Sequence, residues 1–322
     1  MTRVVEAVWK ERGMDLGVAL PTSGAYASAE AIVRVAQGAE RLGYGAVWTY
    51  ERLLYPTGGA TSGGRPQPLP DYYASTFEPI ETLSHVAACT DRVRLGTSVV
   101  NALFHNPVVL ARRFATLDRF SGGRAVAGLG LGWMDQEFEA IGVSQRTRGE
   151  ALEEAVAAVR AAWGPDPVSF HGKHYTIPPS AINPKPVQRQ GVPIVLAGMS
   201  PPAVDRAARL ADGLNPIALS REFLEQTVTR FRATAAEAGR DAAALSVIVR
   251  VNTPLTADDL DGERPFLGGS ARQIAADLDL VAPLGLDHVL FADTASTTAD
   301  ELLRRLSELR EAVPSAEWGP AA

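Results

Sequence analysis

Short stretches of the 322-residue sequence combine residue types that could bind an anion, contact a flat ring or carry a proton. One is Gly198-Met199-Ser200, which stands between an apolar run and the proline Pro201. A glycine turn that leads into a helix presents free backbone N–H groups and the positive end of the helix dipole. The stretch therefore predicts a phosphate site, although Ser200 would also serve as an ordinary helix cap.

Three alternating glycines, Gly128, Gly130 and Gly132, precede Trp133 in a second stretch. The spacing, and the lack of an acidic residue at the distance that a ribose contact needs, argue against a dinucleotide-binding fingerprint. Glycines inside a strand indicate that something approaches the backbone closely. That neighbour is either a packed helix or a flat ring lying over the strand end, and the residues alone favour neither.

Few side chains are suited to proton transfer or substrate contact. Glu51 and Arg52 follow the second apolar run, but Arg52 stays protonated and cannot act as a general base. His105 follows the third apolar run and is the one histidine predicted at the same end of the molecule. His171 and His174 lie in a predicted surface hairpin, where a metal site is the disfavoured interpretation.

Composition argues against other classes of chemistry. The single cysteine, Cys89, cannot form an internal disulfide or a zinc site of several thiolates. The three lysines, Lys10, Lys173 and Lys185, lie outside the predicted core strands, which disfavours a Schiff-base or metal-dependent lyase. With a net charge of −6, no basic field would attract nucleic acid. No apolar stretch suits a membrane span or a signal peptide, so we expect a soluble cytoplasmic protein.

The elements that must position these residues alternate between short apolar runs and longer amphipathic ones. The predicted strands are residues 14–20, 46–50, 93–99, 124–131, 193–197, 213–217, 246–252 and 288–291. The predicted helices are residues 29–42, 79–90, 107–120, 148–163, 201–211, 222–238, 270–284 and 299–313. Eight strand–helix units predict a single (β/α)8 TIM barrel over residues 1–322, with an open doubly wound sheet as the alternative.

Two segments interrupt this alternation. Residues 53–75, here the lid segment, are rich in glycine and proline and follow the second strand, so they should overhang the active-site face of a barrel. Three tyrosines favour an active-site lid over a disordered surface insertion. Residues 164–190, here the insertion segment, contain a predicted hairpin around Gly172. They join a helix to the next strand, which predicts a position on the opposite, back face.

The residues SVVN at 98–101 and NPVVLARRFATLDRFSGGRAVAGLGLGWMDQEFEAIG at 106–142 closely resemble the bacterial luciferase-like monooxygenase family. Flanking sequence also matches, including PIETLSHVAACTDRVRLGTSVV, RGEALEEAVAAVRAAWGPDPVSFHGKHYTI and LAGMSPPAVDRAARLADG. Within that family, the sequence looks like the branch that uses the deazaflavin coenzyme F420. The resemblance implies a TIM barrel that carries out redox chemistry on a small-molecule substrate.

The resemblance also implies roles for particular positions at the cofactor ring. Members have a bulge in the third strand, often with a non-prolyl cis peptide, against which the ring rests; here that bond would be Ser98–Val99. The acid Glu51 would touch the ring edge, and the turn Gly198, Met199 and Ser200 would hold the cofactor phosphate. Gly132 and Trp133 would lie at the ring.

Two departures from the family pattern bear on the reaction. Arg52 stands where related enzymes often have a histidine, and Trp133 stands where sugar-phosphate-oxidising members have a glutamate. Both differences argue against that particular reaction and leave the proton-transfer residue unassigned. Arg52 and His105 remain candidate substrate contacts.

Two functions follow from the resemblance. The first is hydride transfer between F420 and a small organic substrate, and the second is an FMN-dependent monooxygenase that receives reduced flavin from a separate flavin reductase. The missing histidine and glutamate leave a third function open, a non-catalytic flavin-binding protein. The family is usually homodimeric, and the predicted helix 79–90 has an apolar stripe, although core packing would explain that stripe equally well.

Overall fold

The computed structural model describes residues 14–313, in which eight parallel strands close into a barrel. The strands are β1 (Asp15–Ala19), β2 (Ala46–Thr49), β3 (Arg94–Thr97), β4 (Ala125–Gly130), β5 (Ile194–Ala197), β6 (Gly213–Asn215), β7 (Ser246–Val251) and β8 (His288–Phe291). Each strand pairs in parallel with the next, and β8 pairs with β1. This closure confirms the predicted (β/α)8 barrel over the open sheet. Lys10 lies outside the described residues.

Nine α-helices are present in the described range. They are α1 (Ala29–Arg41), α2 (Pro79–Ala87), α3 (Pro107–Phe120), α4 (Asp135–Ile141), α5 (Arg148–Trp163), α6 (Pro201–Leu210), α7 (Arg221–Glu237), α8 (Ala271–Val281) and α9 (Ala299–Ala312). Eight of them coincide with predicted helices apart from small differences at their ends. The exception is α4, whose seven residues are too few for a helical period to be recognised.

The barrel interior is filled by side chains from alternate positions of its strands, with Trp48 as the largest. The indole Nε1 of Trp48 donates a hydrogen bond to His288 Nε2 at 3.0 Å. Gly17 and Gly96 leave room for this pair, since a Cβ at Gly96 would lie 2.2 Å from the Trp48 ring. A packed interior confines any ligand to the barrel ends and the surrounding loops.

The apolar stripe of α2 faces the core of its own barrel. Ile80, Leu83, Val86 and Ala87 are all buried in the monomer. The stripe is therefore accounted for by intramolecular packing and gives no support to the predicted homodimer.

The lid segment folds into a short antiparallel hairpin, Ala60–Ser62 with Arg65–Gln67, followed by a 3-10 turn at Asp71–Ala74. Asp135, at the start of α4, holds the hairpin by accepting hydrogen bonds from Thr61 Oγ1 and from the backbone N–H groups of Gly63 and Gly64 at 2.8–2.9 Å. These bonds keep the pKa of the Asp135 carboxyl well below its usual range. The hairpin is thus fixed to the loop that follows β4.

The insertion segment contains the predicted hairpin, formed by Val168–His171 and Thr176–Ser180. Glu154, in the second turn of α5, accepts hydrogen bonds from three backbone N–H groups of its tip. The hairpin therefore lies along α5, and its position on the back face stays a prediction. In the described residues, no cluster of three or more His, Cys, Asp or Glu could hold a metal ion, and no helix is long and apolar enough to cross a membrane.

Candidate active site

A bulge interrupts the third strand at its C-terminal end. β3 pairs with β4 up to Gly96 opposite Val126, and pairing resumes at Val100 opposite Leu129. The chain thus has one residue more than β4 between these two pairs, which defines a bulge. The peptide bond Ser98–Val99 within it is cis, in agreement with the expectation from the family resemblance.

The glycines of β4 make room for this bulge. A Cβ on Gly128 would lie 1.7 Å from the carbonyl oxygen of Thr97, and a Cβ on Gly130 would lie 2.6 Å from Val99 Cγ2. Within the chain, the close neighbour of these two glycines is therefore the adjacent strand and not a packed helix. Gly132, beyond the strand end, adopts a φ of +73°, which favours glycine.

Hydrogen bonds from three other strands fix the bulge. The Ser98 hydroxyl bonds to Asn215 Oδ1 at 2.7 Å, and the Asn215 amide group donates to the Ile248 carbonyl oxygen. Because Asn215 Oδ1 is an acceptor, the single Ser98 hydroxyl proton points into the barrel. Arg250 donates from Nη1 to the Ser98 carbonyl oxygen, and Ser98 N–H donates to the Thr49 carbonyl oxygen. Ser98 is thus an anchor of the bulge, while the partly exposed Val99 forms its outer surface.

Glu51 and His105 meet beside the bulge. Glu51 Oε1 lies 2.6 Å from His105 Nε2, and Glu51 Oε2 accepts a hydrogen bond from Asn101 N–H at 2.8 Å. Glu51 is buried and His105 partly exposed, so the pair connects a buried carboxylate with the surface of the site. Arg113 Nη1 lies 3.5 Å from the other imidazole nitrogen. The arrangement can hold one proton between a carboxylate and an imidazole.

Arg52 forms an ion pair inside the protein. Its Nη1 lies 3.0 Å from Glu137 Oε2, and Glu137 Oε1 accepts a hydrogen bond from Leu53 N–H at 2.8 Å. The guanidinium also lies between two rings, 5.0 Å from the centroid of Tyr73 and 5.1 Å from that of Trp133. Arg52 thus links the lid segment to the loop after β4, and Glu137 balances its charge.

The turn before α6 offers fewer donors than the sequence analysis assumed. Pro201 and Pro202 occupy the first helical positions and carry no N–H, and Ala203 N–H already bonds to the Ser200 carbonyl oxygen at 2.9 Å. Ser200 is the N-cap residue, but its side chain makes no capping hydrogen bond and is exposed. The donors left to an anion are therefore the Ser200 hydroxyl and the backbone N–H groups of Met199 and Ser200.

A cavity of about 260 Å³ opens at the C-terminal ends of β1, β2, β7 and β8. Tyr72 and Tyr73 of the lid segment line it together with Tyr50 and Arg250. Tyr73 packs edge-on against Tyr50 with ring centroids 5.6 Å apart. Burial raises the pKa of Tyr50 to about 12, so its hydroxyl is neutral at physiological pH.

Three residues of this site were missed by the sequence analysis, namely Glu137, Asn215 and Arg250. Asn215 and Arg250 lie near the C-terminal ends of otherwise apolar strands, which is the position where barrel enzymes place functional side chains. That signal was available in the sequence. Glu137 lies in the unpredicted helix α4 and carried no comparable signal.

Comparison with protein families identifies a match over most of the chain. The model of the luciferase-like monooxygenase family matches residues 14–276. An F420-dependent glucose-6-phosphate dehydrogenase of Kineococcus radiotolerans is 39% identical over 135 residues, which cover 41% of this chain and 39% of the relative. An FMNH(2)-dependent dimethylsulfone monooxygenase of Pseudomonas putida is 32% identical over 186 residues, which cover 56% of this chain and 50% of the relative.

Among solved structures, an F420-dependent secondary alcohol dehydrogenase in complex with an F420-acetone adduct superposes with a TM-score of 0.78. The sequence identity is 19%, and the superposition covers 94% of this chain and 99% of that one. At this identity the likeness concerns the fold alone. The aligned regions of the curated relatives span between 39% and 72% of their own lengths.

Proposed function

This chain belongs to the luciferase-like monooxygenase family, and we propose that it transfers hydride between coenzyme F420 and a small organic substrate. One observation carries the proposal: the bulge after β3 is held from three other strands and lies directly beside the buried Glu51 carboxylate. A backbone platform fixed in this way can support a planar ring without reorganisation during the reaction.

The described residues fit the two ends of such a cofactor. Val99, on the outer surface of the bulge, is available to a ring, and Glu51 lies at the edge of that surface. The free hydroxyl and N–H donors at Met199 and Ser200 suit an anionic tail. When bound, the deazaflavin would supply or accept the hydride.

The chain itself contributes position, water exclusion and proton handling. Tyr72 and Tyr73 of the lid segment cover the cavity and would keep water from the reacting atoms. The Glu51–His105 pair would hold the proton that accompanies hydride transfer from an alcohol or to a carbonyl. Arg52, paired with Glu137, holds the lid segment and does not act as a base.

The F420-dependent relative supports this choice of cofactor, although Arg52 and Trp133 argue against its sugar-phosphate substrate. A second candidate is a monooxygenase that uses reduced FMN from a separate reductase. It is favoured by the dimethylsulfone monooxygenase relative, which matches a longer part of this chain. Both cofactors have a phosphate and a planar ring, so both suit the contacts described above.

Parallel calorimetric titration with F420 and FMN tests the proposal. We expect F420 to bind in the micromolar range and to change its absorbance when a substrate turns over. Tight FMN binding together with no F420 binding below millimolar concentration would refute hydride transfer from F420. Oxygen uptake with reduced FMN would then support the second candidate, and turnover with either cofactor would rule out a non-catalytic binding protein.

A further inference from the structure

We propose that the cavity binds a small organic acid, with its carboxylate on Arg250, and that this acid is the substrate of the reaction proposed above. The claim that the acid is the substrate rests on the proposed function. The claim that Arg250 binds a carboxylate does not rest on it, because Arg250 is in place without a cofactor. An experiment can therefore refute either claim without refuting the other.

The Arg250 guanidinium donates hydrogen bonds only to neutral acceptors. It donates from Nη1 to the Ser98 carbonyl oxygen and from Nε to Asn252 Oδ1, and its guanidinium lies 5.2 Å from the centroid of the Tyr50 ring. None of the described carboxylates forms an ion pair with it, in contrast to Arg52, which pairs with Glu137. Burial lowers the pKa of Arg250, yet an arginine stays protonated in proteins. With Nε and one N–H of Nη1 engaged, the N–H groups of Nη2 and the remaining one of Nη1 can still bind a carboxylate in two-point fashion.

The surroundings of Arg250 favour an organic acid of small size. The volume of about 260 Å³ lies below the range of roughly 300–1,000 Å³ that is usual for drug-sized ligands. Tyr50, Tyr72 and Tyr73 line the cavity together with Arg250 and provide apolar ring faces. Such walls suit the carbon skeleton of an acid better than they suit a bare inorganic anion.

One carboxylate, that of Asp293, also lines the cavity and could repel an anion. It is already engaged, because Oδ1 accepts hydrogen bonds from Leu255 and Ala295 N–H and Oδ2 accepts one from Ser296 N–H. Its charge acts on Tyr26, whose pKa burial and Asp293 together raise to about 12. Arg250 and Asp293 both line the cavity, and in the described part of the chain they form no ion pair with each other.

Two hydroxyl groups in the cavity wall make no hydrogen bond in the described part of the chain. Thr22 Oγ1 and Ser296 Oγ are buried, line the cavity and have no hydrogen-bond partner in the described part of the chain. Thr22 is fully buried as a residue. Because buried hydroxyls are nearly always hydrogen-bonded, a ligand with a second polar group, hydroxyl or carbonyl, would complete the site.

The position of Arg250 also links this acid to redox chemistry. The guanidinium that would bind the carboxylate donates to Ser98, within the bulge that is proposed to support the ring. An acid bound to Arg250 would thus lie beside the proposed position of the reacting ring, and proximity of this kind lowers the barrier to reaction.

Equilibrium titration of the full-length protein with benzoate and the isosteric neutral benzamide tests the acid site. We expect benzoate to bind roughly 10- to 100-fold more tightly than benzamide, because only the benzoate carboxylate forms a charged hydrogen bond with Arg250. Arg250→Gln should abolish this preference. Arg65→Gln, which makes the same charge change on the exposed hairpin of the lid segment, should leave it intact. Equal binding of benzoate and benzamide by the unmodified protein would overturn the proposal.

Substitution of Arg250 also removes its hydrogen bond to the Ser98 carbonyl oxygen. The variant Arg250→Lys and titration with F420 distinguish this effect from the loss of carboxylate binding. The lysine keeps the charge but not the fork, so a partial benzoate preference supports carboxylate binding. If Arg250→Gln weakens F420 binding and leaves the benzoate preference unchanged, Arg250 serves the cofactor and the inference is wrong. If no cofactor binds while the benzoate preference holds, the proposed function fails and the acid site stands.

A third comparison addresses the hydroxyl groups. Among the three monohydroxybenzoates, we expect at least one to bind more tightly than benzoate, and Thr22→Val to remove that advantage. The valine keeps the shape of the side chain without its hydroxyl. If no isomer binds more tightly, or the advantage survives in Thr22→Val, the ligand has no second polar group at this position.

Discussion

At the scale of single residues, Ser200 and Ser220 occupy the same N-cap position in α6 and α7 but use their hydroxyl groups differently. The Ser220 side chain accepts a hydrogen bond from Phe223 N–H at 3.1 Å, whereas the Ser200 side chain caps nothing. Both residues have an extended backbone, and the hydroxyl that Ser200 does not use for capping is available to a ligand. Substitutions at Ser200 and Ser220 can therefore distinguish an effect on ligand binding from an effect on the stability of the fold.

Ser200→Ala should weaken cofactor binding about tenfold, since one hydrogen bond to a charged phosphate is lost, with little change in the free energy of unfolding. Ser220→Ala should do the opposite and lower the unfolding free energy by about 1 kcal/mol. Calorimetric titration and urea unfolding of both variants provide the measurements. Equal cofactor affinities in the two variants would mean that the turn before α6 does not hold the phosphate.

The Glu51–His105 pair gives a second prediction at this scale. Glu51→Gln keeps the side-chain shape but cannot hold a proton between itself and His105. We expect kcat for F420-linked turnover to fall about 100-fold and its pH dependence to change. Glu81→Gln is the matched control, because Glu81 is exposed and contacts Arg113, the neighbour of His105. A similar fall in both variants would assign the effect to general electrostatics around Arg113.

Sequence reasoning found residues at this scale more readily than it found their partners. Glu51 and His105 could each be placed at a strand end, yet their contact depends on the bulge, which the residue pattern alone does not predict. Arg250 and Asn215 lay inside the predicted strands 246–252 and 213–217 and were assigned no role, although polar side chains near the C-terminal end of a barrel strand indicate the active face. Ser98 at the ring stays a prediction, and the structure adds that its hydroxyl anchors the bulge to Asn215.

At the scale of elements, the bulge after β3 and the glycines of β4 form one unit. Periodicity predicted all eight strands, because each is an apolar run covered on both faces. It could not show why β4 contains glycines, since the cause is the shape of the neighbouring strand. The helix α4 was missed because its seven residues are shorter than the window over which a helical period becomes visible.

Gly130→Ala tests this unit. The added Cβ would lie 2.6 Å from Val99 Cγ2, so the Val99 side chain on the bulge must move. We expect the free energy of unfolding to fall by about 1–3 kcal/mol and cofactor binding to be lost. Gly58→Ala, in the lid segment where no atom lies within 4 Å of the added Cβ, should change neither quantity. Unchanged stability and cofactor affinity in Gly130→Ala would show that the bulge tolerates displacement and is not a rigid platform.

At the scale of the whole molecule, the barrel interior contains a titratable residue, His288, that is not part of the candidate active site. His288 is completely buried, and burial, together with the charge of Arg94, lowers its pKa to about 3. Its Nε2 accepts the hydrogen bond of Trp48, so the folded state requires a neutral imidazole at that nitrogen. The histidine therefore couples the stability of the entire barrel to pH. The homodimer predicted from the family stays a prediction, and sedimentation tests it.

The direction of this coupling follows from proton uptake. An unfolded histidine binds a proton below about pH 6.5, whereas folded His288 stays neutral down to about pH 3. Between these values the unfolded state binds more protons, so the unfolding free energy falls as the pH falls, by up to about 1.4 kcal/mol per pH unit. Above about pH 6.5 this contribution is constant.

Urea unfolding at about pH 7.5 and about pH 5.5 measures the effect, with an expected contribution from His288 of about 1 kcal/mol between them. His288→Gln, whose amide oxygen can accept the Trp48 hydrogen bond, should show a pH-dependent loss smaller by that amount. His171→Gln, at an exposed histidine of the insertion segment, should behave like the unmodified protein. If His288→Gln loses as much stability on acidification as the unmodified protein does, other groups govern the acid response, and the buried imidazole contributes only packing and one hydrogen bond.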